Sequence, residues 1–303
     1  MITCKDCGSE NVQKRGFNNN RTKQRIECQS CGAWSSVDIE VLSSEPKVFK
    51  NILIFDIETM VKKAFLFRPG KQYVNADSFI DYDTMICWSA KVLGSSDTFN
   101  DCLTSKEAKE KNHSRITKSL WNLMKDYDVT VSHNGINFDI PMIRTFFLKE
   151  NLGLPNRFRN IDTCQIARSN FRFQSNRLDY ICRELGLNDG KTDTSIDLWK
   201  KCYDGDQESL DYMQTYNIND ILILEDLLNI FKPYIPSFPN VAVYGDIEES
   251  QCPYCGGTNF KDNGYWFTPN GKFNSYRCEC KAIFRSKENL LTKAKKKAQM
   301  VSI

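Results

Sequence analysis

The chain has 303 residues, 41% of them hydrophobic and 26% charged, with a formal net charge of +3. This composition fits a globular protein with one good-sized core and small satellites, and its mean charge neither requires nor excludes a polyanionic partner. The opening Met1 to Cys7 has no apolar signal core and no segment reaches the eighteen or so apolar residues of a membrane span, which predicts a cytoplasmic protein without a membrane partner.

Of the 13 cysteines, eight lie in closely spaced pairs near the two ends, which is how zinc sites rather than disulfides are written. The other five, Cys87, Cys102, Cys164, Cys182 and Cys202, are scattered singly and are expected to be reduced, mostly buried apolar side chains. Residues 1–46 hold Cys4-x2-Cys7 and Cys28-x2-Cys31, the spacing of a structural site in which four thiolates bind Zn²⁺ tetrahedrally. Gly8 and Gly32 follow the second cysteine of each pair and suit tight knuckle turns, and the segment resembles zinc ribbons. Lys14, Arg15, Phe17, Arg21, Lys23 and Arg25 lie between the knuckles, either as phosphate contacts or as an ordinary solvated surface.

After the linker-like Ser43-Ser44-Glu45-Pro46 comes Asn51 to Thr59, an apolar run that closes on Asp56 and Glu58. In a strand, Ile52, Ile54, Asp56 and Glu58 share one face while Leu53, Phe55 and Ile57 share the other. Apolar residues on both faces predict a central strand, and two acids at its end are costly unless a cation neutralises them. Met85 to Leu93 and Asp97 to Leu103 are predicted as further strands, which suggests a meander. A helix is predicted over Ser114 to Lys125, a short buried strand over Val129 to Ser132, and a helix with Pro141 in its first turn running to about Lys149.

Asp139 thus falls just before a helix start, where dipole compensation alone would explain it. Residues 156–177 interleave Arg157, Phe158, Arg159, Arg168, Phe171, Arg172, Phe173 and Arg177 around a strand predicted near Asn160 to Ala167. Such a mixture either holds a single nucleic-acid strand or packs its Phe rings inward and solvates its Arg residues. Leu178 to Leu185 is predicted as a short helix closed by Gly186, followed by about twenty loop-like residues.

A long helix is predicted from Gln207 to Phe231, with Met213, Tyr216, Leu224, Leu227 and Phe231 on its apolar stripe and Asp220 as the missing member. Tyr216 lies one turn back on the same face. Beyond Pro233, Pro236 and Pro239, Cys252-x2-Cys255 opens an apparent internal repeat: Cys7-Gly8 and Asn11 match Cys255-Gly256 and Asn259, and Gly16-Phe17 matches Gly264-Tyr265. Its closing pair, Cys278-x-Cys280, is one residue tighter than the first, and a second ribbon over residues 241–287 is expected to hold a second Zn²⁺. A basic tail with Lys293, Lys295, Lys296 and Lys297 closes the chain over residues 288–303.

Four acids thus stand apart: Asp56, Glu58, Asp139 and Asp220. With only two histidines, His113 and His133, oxygen ligands for hard cations such as Mg²⁺ or Mn²⁺ are the natural expectation. Phe-Asp56-Ile-Glu58-Thr, Asn134-x3-Phe138-Asp139 and Tyr216-x3-Asp220, in that order, resemble the three motifs of the DEDD exonuclease superfamily in its tyrosine-bearing DEDDy branch. The likeness covers roughly residues 48 to 235, close to the expected nuclease domain at 47–240, and is nearest to proofreading domains of family-B DNA polymerases and stand-alone RNase H-like exonucleases.

The resemblance implies an α/β, RNase H-like fold with a five-stranded mixed sheet and flanking helices. It also implies two Mg²⁺ or Mn²⁺ ions per site, with Asp56 bridging both, Glu58 and Asp220 on one, and Asp139 on the other through water. Tyr216 would orient the attacking water, and Thr59, Asn134 and Phe138 would contact the terminal nucleotide. The implied activity is a 3′-to-5′ exonuclease that acts on nucleic acid, DNA more than RNA, and releases nucleoside monophosphates. The ribbons would grip nucleic acid or replication or recombination proteins. The alternatives are a structure-specific endonuclease on the same fold and a non-catalytic zinc-ribbon adaptor. Asp83 and Asp162 match no motif residue and are expected to be structural.

Overall fold

The computed structural model describes residues 4–17, 23–38, 52–68, 70–71, 73–187, 194–235, 238–244 and 249–300. The linker Ser43 to Pro46 and Arg21 lie outside the described residues, as do the side chains of Lys14, Arg15, Phe17, Lys23 and Arg25. Two compact units are present, Met1–Pro46 and Lys47–Ile303. The first contains strands β1 (Val12–Phe17), β2 (Lys23–Cys28) and β3 (Trp34–Asp38), paired antiparallel in that order.

In the second unit, β4 (Ile52–Thr59) is the central strand of a five-stranded mixed sheet. Antiparallel to it runs β5 (Met85–Val92), with β6 (Thr98–Cys102) outside β5, while β7 (Val129–Ser132) and β8 (Arg159–Asp162) extend the other side in parallel. The order is β6-β5-β4-β7-β8, an α/β, RNase H-like arrangement with helices on both faces. Strand alternation explains the layering. Leu53, Phe55 and Ile57 join a core with Ile116 and Leu120 of α2 (Ser114–Met124) and Ile143 and Phe146 of α3 (Asp139–Lys149). Ile52 and Ile54 join a second core with Ile221, Leu224 and Leu228 of α7 (Gln207–Phe231).

Ile52, Leu53, Ile54 and Phe55 are fully buried. At about 1.5–3 kcal/mol for each such side chain, they fix the register of β4 strongly enough to hold acids at its end.

Three expectations are corrected. The strand predicted to run to Ala167 ends at Asp162, whose carboxylate accepts from Cys164 N (3.0 Å) and Gln165 N (3.2 Å) and thereby caps α4 (Thr163–Asn170). The loop-like stretch after Gly186 contains a helix, α6 (Ile196–Asp204), closed by Gly205 in the left-handed region. On α7, Met213, Leu224, Leu227 and Phe231 are buried as expected, but Asn217, Ile221 and Leu228 are buried with them, and Tyr216 and Asp220 lie half-buried at the side.

The Phe residues of 171–173 point inward. Phe171 lies 5.0 Å from Phe231, and both Phe171 and Phe173 pack on the core formed with α5 (Leu178–Glu184). The five scattered cysteines carry free thiols, and all but the half-buried Cys102 are buried.

The C-terminal segment forms a second three-stranded antiparallel sheet. Its strands are β9 (Phe260–Thr268), β10 (Gly271–Cys278) and β11 (Ile283–Arg285), with β10 in the middle. It is packed on the body of the five-stranded sheet: Tyr254 stacks on Phe238 with ring centroids 5.9 Å apart, and Val241 N donates to Pro253 O. Among the described residues no helix is long and apolar enough to cross a membrane.

Candidate active site

The acids at the end of β4 face α7. Asp56, Glu58 and Asp220 offer carboxylate oxygens that all lie within 4.8 Å of one another. Asp56 Oδ2 accepts from Asn217 Nδ2 at 2.6 Å. The indole of Trp199 on α6 favours the charged form of Glu58, and the Tyr216 hydroxyl does the same for Asp220. Trp199 also meets Tyr216 edge-on, with ring centroids 6.5 Å apart.

Asp139, the first residue of α3, is buried, and its Oδ1 accepts from Ile57 N at 3.3 Å, which brings it to the strand residue between Asp56 and Glu58. Thr59 ends β4 just past a register shift after Glu58, and the half-exposed Phe138 precedes α3.

The turn that delivers Asp139 is built by Asp162 and Gly135. Asp162 accepts from Asn134 N (2.8 Å) and Ile136 N (3.1 Å), and Asn134 holds a left-handed φ of 65°. A β-carbon at Gly135 would lie 2.0 Å from Ser132 Oγ and 3.3 Å from Asp139 Oδ2, so only glycine passes here. His133 takes no part in the acid cluster: its ring nitrogens bond Thr163 Oγ1 and Asn176 O, both at 2.8 Å.

Electrostatics single out this cluster. Burial, followed by the charges of Asp139, Glu58 and Asp220, pushes Asp56 well above the usual carboxylate range. Burial pushes Glu58 up to about 8, with Asp220 and Asp139 adding to it. Asp139 and Asp220 both rise to about 7, again chiefly through burial. Tyr216 is raised as well, by burial and then by the Asp220 charge, so its hydroxyl keeps its proton at neutral pH.

The donor set is all oxygen, under-supplied with hydrogen-bond donors and mutually repelling, which suits hard divalent cations. Among the described residues, the buried side-chain polar atoms without a partner are Asn217 Oδ1 and Ser89 Oγ, and Ser89 is the register partner of Asp56. Asn217 thus touches Asp56 through its amide nitrogen, and Ser89 stands across from Asp56 on β5. Sequence reasoning missed Asn217 and Trp199. Asn217 was accessible through its i,i+4 spacing between Met213 and Ile221, whereas Trp199 had no local signal.

Each cysteine group fits Zn²⁺. Tetrahedral thiolates at about 2.3 Å from zinc stand about 3.8 Å apart. Cys4–Cys31 and Cys7–Cys28 are separated by 3.7 and 3.6 Å, and Cys252–Cys280 and Cys255–Cys278 by 3.8 and 3.6 Å.

Three knuckles close alike, with the N–H of left-handed Gly8, Gly32 or Gly256 donating to the carbonyl of the first cysteine. The tighter Cys278-x-Cys280 knuckle uses Lys281 instead, at a φ of 71°, and donates to Cys278 O at 2.9 Å. One residue is lost from the turn and the thiol spacing is unchanged.

A mixed sheet of this order, with acids at the end of its central strand, defines the RNase H-like class. A family model described as the RNase_H superfamily matches residues 53–231, and the chain belongs to that superfamily. DNA polymerase III PolC-type of Ureaplasma parvum serovar 3 is 31% identical over 153 residues, which cover 45% of this chain and 10% of that relative. The chain thus spans about a tenth of the relative's length. The family B DNA polymerase of Pyrobaculum calidifontis superposes with a TM-score of 0.45 and 13% identity, over 73% of this chain and 29% of that one.

Proposed function

We propose that the chain is a DEDDy-type 3′-to-5′ exonuclease that hydrolyses phosphodiester bonds of DNA, at single strands or 3′ ends, and releases nucleoside monophosphates. The observation that carries this reading is the convergence of Asp56, Glu58 and Asp220 to within 4.8 Å beside the Tyr216 hydroxyl. DNA is preferred to RNA because the PolC-type relative is a DNA polymerase.

Asp56, Glu58, Asp139 and Asp220 would hold two Mg²⁺ or Mn²⁺ ions. When bound, such a pair supplies positive charge to the scissile phosphate and to the attacking and leaving oxygens. The protein's own part is positional. Asn217 fixes one oxygen of Asp56, Trp199 favours a charged Glu58, and protonated Tyr216 would orient a water by hydrogen bonding rather than by taking its proton. Water adds to phosphorus, the P–O3′ bond breaks, and the departing 3′ oxygen gains a proton as the water loses one. Thr59, Asn134 and Phe138 are the proposed contacts to the terminal nucleotide.

The domain plan we infer is a zinc ribbon over residues 1–46, the nuclease over 47–240, a second zinc ribbon over 241–287 and a basic tail over 288–303. Incubation of 5′-labelled single-stranded DNA with Mg²⁺ or Mn²⁺ tests the reading: a ladder shortened from the 3′ end is expected, absent in Asp56→Ala and Asp220→Ala. Activity that survives either variant, label released first from the 5′ end, or cutting of a circular single strand would overturn it.

A further inference from the structure

The C-terminal segment combines two features that the acid cluster does not use. The first is charge. Residues 251–303 carry ten Lys and Arg against three Asp and Glu, a net +7, so the preceding 250 residues carry +3 less +7, or −4. The second is an exposed row of aromatic side chains on β9.

Tyr265, Trp266 and Phe267 are consecutive and expose 55%, 45% and 68% of their surface, so both faces of this edge strand are open near the hairpin tip. Tyr265 pairs with Asn274 and Phe267 with Lys272, which puts both rings on one face with Lys272, whose Nζ lies 3.5 Å from the Tyr265 centroid. Farther down that face, Phe260 meets Tyr276 and Phe284 edge to face at 5.3 and 5.2 Å, and Tyr276 and Phe284 are tilted at 5.8 Å.

The tail brings its charge to the same place. Leu290 N donates to Lys272 O, and Gln299 Nε2 donates to Pro269 O in the hairpin turn at 3.2 Å. These bonds hold α8 (Lys293–Ala298), with Lys293, Lys295, Lys296 and Lys297, against the aromatic tip. Contiguous exposed rings are uncommon on a surface that binds nothing. Rings that offer open π-faces beside a cluster of flexible cations match a strand with unpaired bases and phosphates, whereas a duplex hides its base faces.

We propose that this module is a binding platform for single-stranded nucleic acid, in which Tyr265 and Phe267 stack unpaired bases and the α8 lysines neutralise phosphates. The module meets the body near Lys232, which lies over the Phe238 ring. That is twelve residues past Asp220 on α7 and its continuation, about 18 Å at 1.5 Å per residue. The platform is therefore a site separate from the acid cluster. The proposal does not rest on the nuclease reading, because binding is measured without cleavage.

The test uses the full chain carrying Asp56→Asn, in buffer without Mg²⁺, Mn²⁺ or chelator so that ribbon zinc is retained. Anisotropy of fluorescein-labelled dT and U homopolymers reports affinity. Tyr265→Ala with Phe267→Ala is expected to weaken binding roughly ten-fold or more, while Tyr265→Phe retains it. Replacement of Lys295, Lys296 and Lys297 by Ala is expected to flatten the slope of log affinity against log salt by about 2, at roughly 0.7 per phosphate contact. Zinc content by mass spectrometry, equal in parent and variants, shows that the module is intact. Homopolymer binding unchanged in the aromatic variant, duplex binding as tight as single-strand binding, or a basic tail that binds only phosphatidylserine vesicles would each overturn the proposal. Equal binding of dT and U supports a platform indifferent to the sugar, and a preference for one identifies the strand it takes.

Discussion

Asp220→Asn should make the metal-free protein more stable at alkaline pH while removing the acid on which the proposed activity depends. Burial and the neighbouring charges raise Asp220 from 3.8 to about 7 and Glu58 from 4.5 to about 8. At about 1.4 kcal/mol per unit, ionising either side chain in the metal-free fold costs on the order of 4 kcal/mol. Because the groups titrate together, these costs are shared rather than summed. The sign follows from proton uptake: the folded state holds more protons than the unfolded state between the unfolded and folded values. Stability is therefore full below about pH 4, falls as pH rises, and reaches its minimum above about pH 8.

Asn keeps the shape of Asp220 and removes its charge. The expected gain is about 2–4 kcal/mol at about pH 8 and near zero at about pH 4, read from urea unfolding without divalent cations. His113 and His133 act in the opposite sense, since burial lowers both and their contribution grows as pH rises. The quantity that tests the argument is accordingly the difference between wild type and variant at each pH. Mn²⁺ should raise the wild-type midpoint strongly and that of Asp220→Asn little. A variant less stable than wild type at about pH 8, or a difference that does not change with pH, would refute the reasoning.

The remaining predictions follow from single contacts. Asn217→Ala leaves Asp56 without its 2.6 Å donor and should weaken metal-dependent stabilisation and activity about 10–100-fold, measured by Mn²⁺ titration and by hydrolysis. Gly135→Ala places a methyl 2.0 Å from Ser132 Oγ, so the turn must move and carry Asp139 with it; activity should fall by about a hundred-fold while the protein still binds zinc. Cys280→Ser should reduce zinc from two ions to one per chain and lower the unfolding midpoint of the body, because that ribbon packs on Phe238 through Tyr254. Cys31→Ser should cost one zinc as well but leave the body's midpoint unchanged, since residues 1–46 form a compact unit of their own.

How much was legible depended on whether the cause was local. The alternation of β4 and the period of α7 are written in consecutive residues, and both elements formed where their apolar patterns placed them. The phase of α7 was harder to read. Asn217 is completely buried although it is polar, and its reason for being so is Asp56, 161 positions away. Counting apolar residues therefore moved the stripe onto Tyr216 and Asp220. The end of β8 was misread because Ile161, Ile166 and Ala167 satisfy a strand and a helix equally well, and the deciding term is a side-chain cap from Asp162. Helix α6 carries Asp and Lys on much of its surface, and its one site residue, Trp199, is explained by the core it packs on and by Glu58 and Tyr216 on other elements.

The acids themselves show what separates a scaffold carboxylate from a ligand. Asp162 receives four backbone N–H groups, from Asn134, Ile136, Cys164 and Gln165, and spends its charge holding two loops together. Asp56, by contrast, accepts from the Asn217 side chain, and it lies with the half-buried Glu58 and Asp220 so that their carboxylate oxygens are within 4.8 Å of one another. A carboxylate stripped of water needs several donors or a cation to remain charged. The fold supplies the donors to Asp162 and withholds them from the other three. The same criterion leaves Asp139 between the groups: it keeps the Ile57 N–H and lies at a helix N-terminus, which suits an acid with a weaker hold on a cation. Asp139→Asn should therefore lower Mn²⁺ affinity less than Asp56→Asn does, and equal losses in a calorimetric titration would show that the donor count does not set the order.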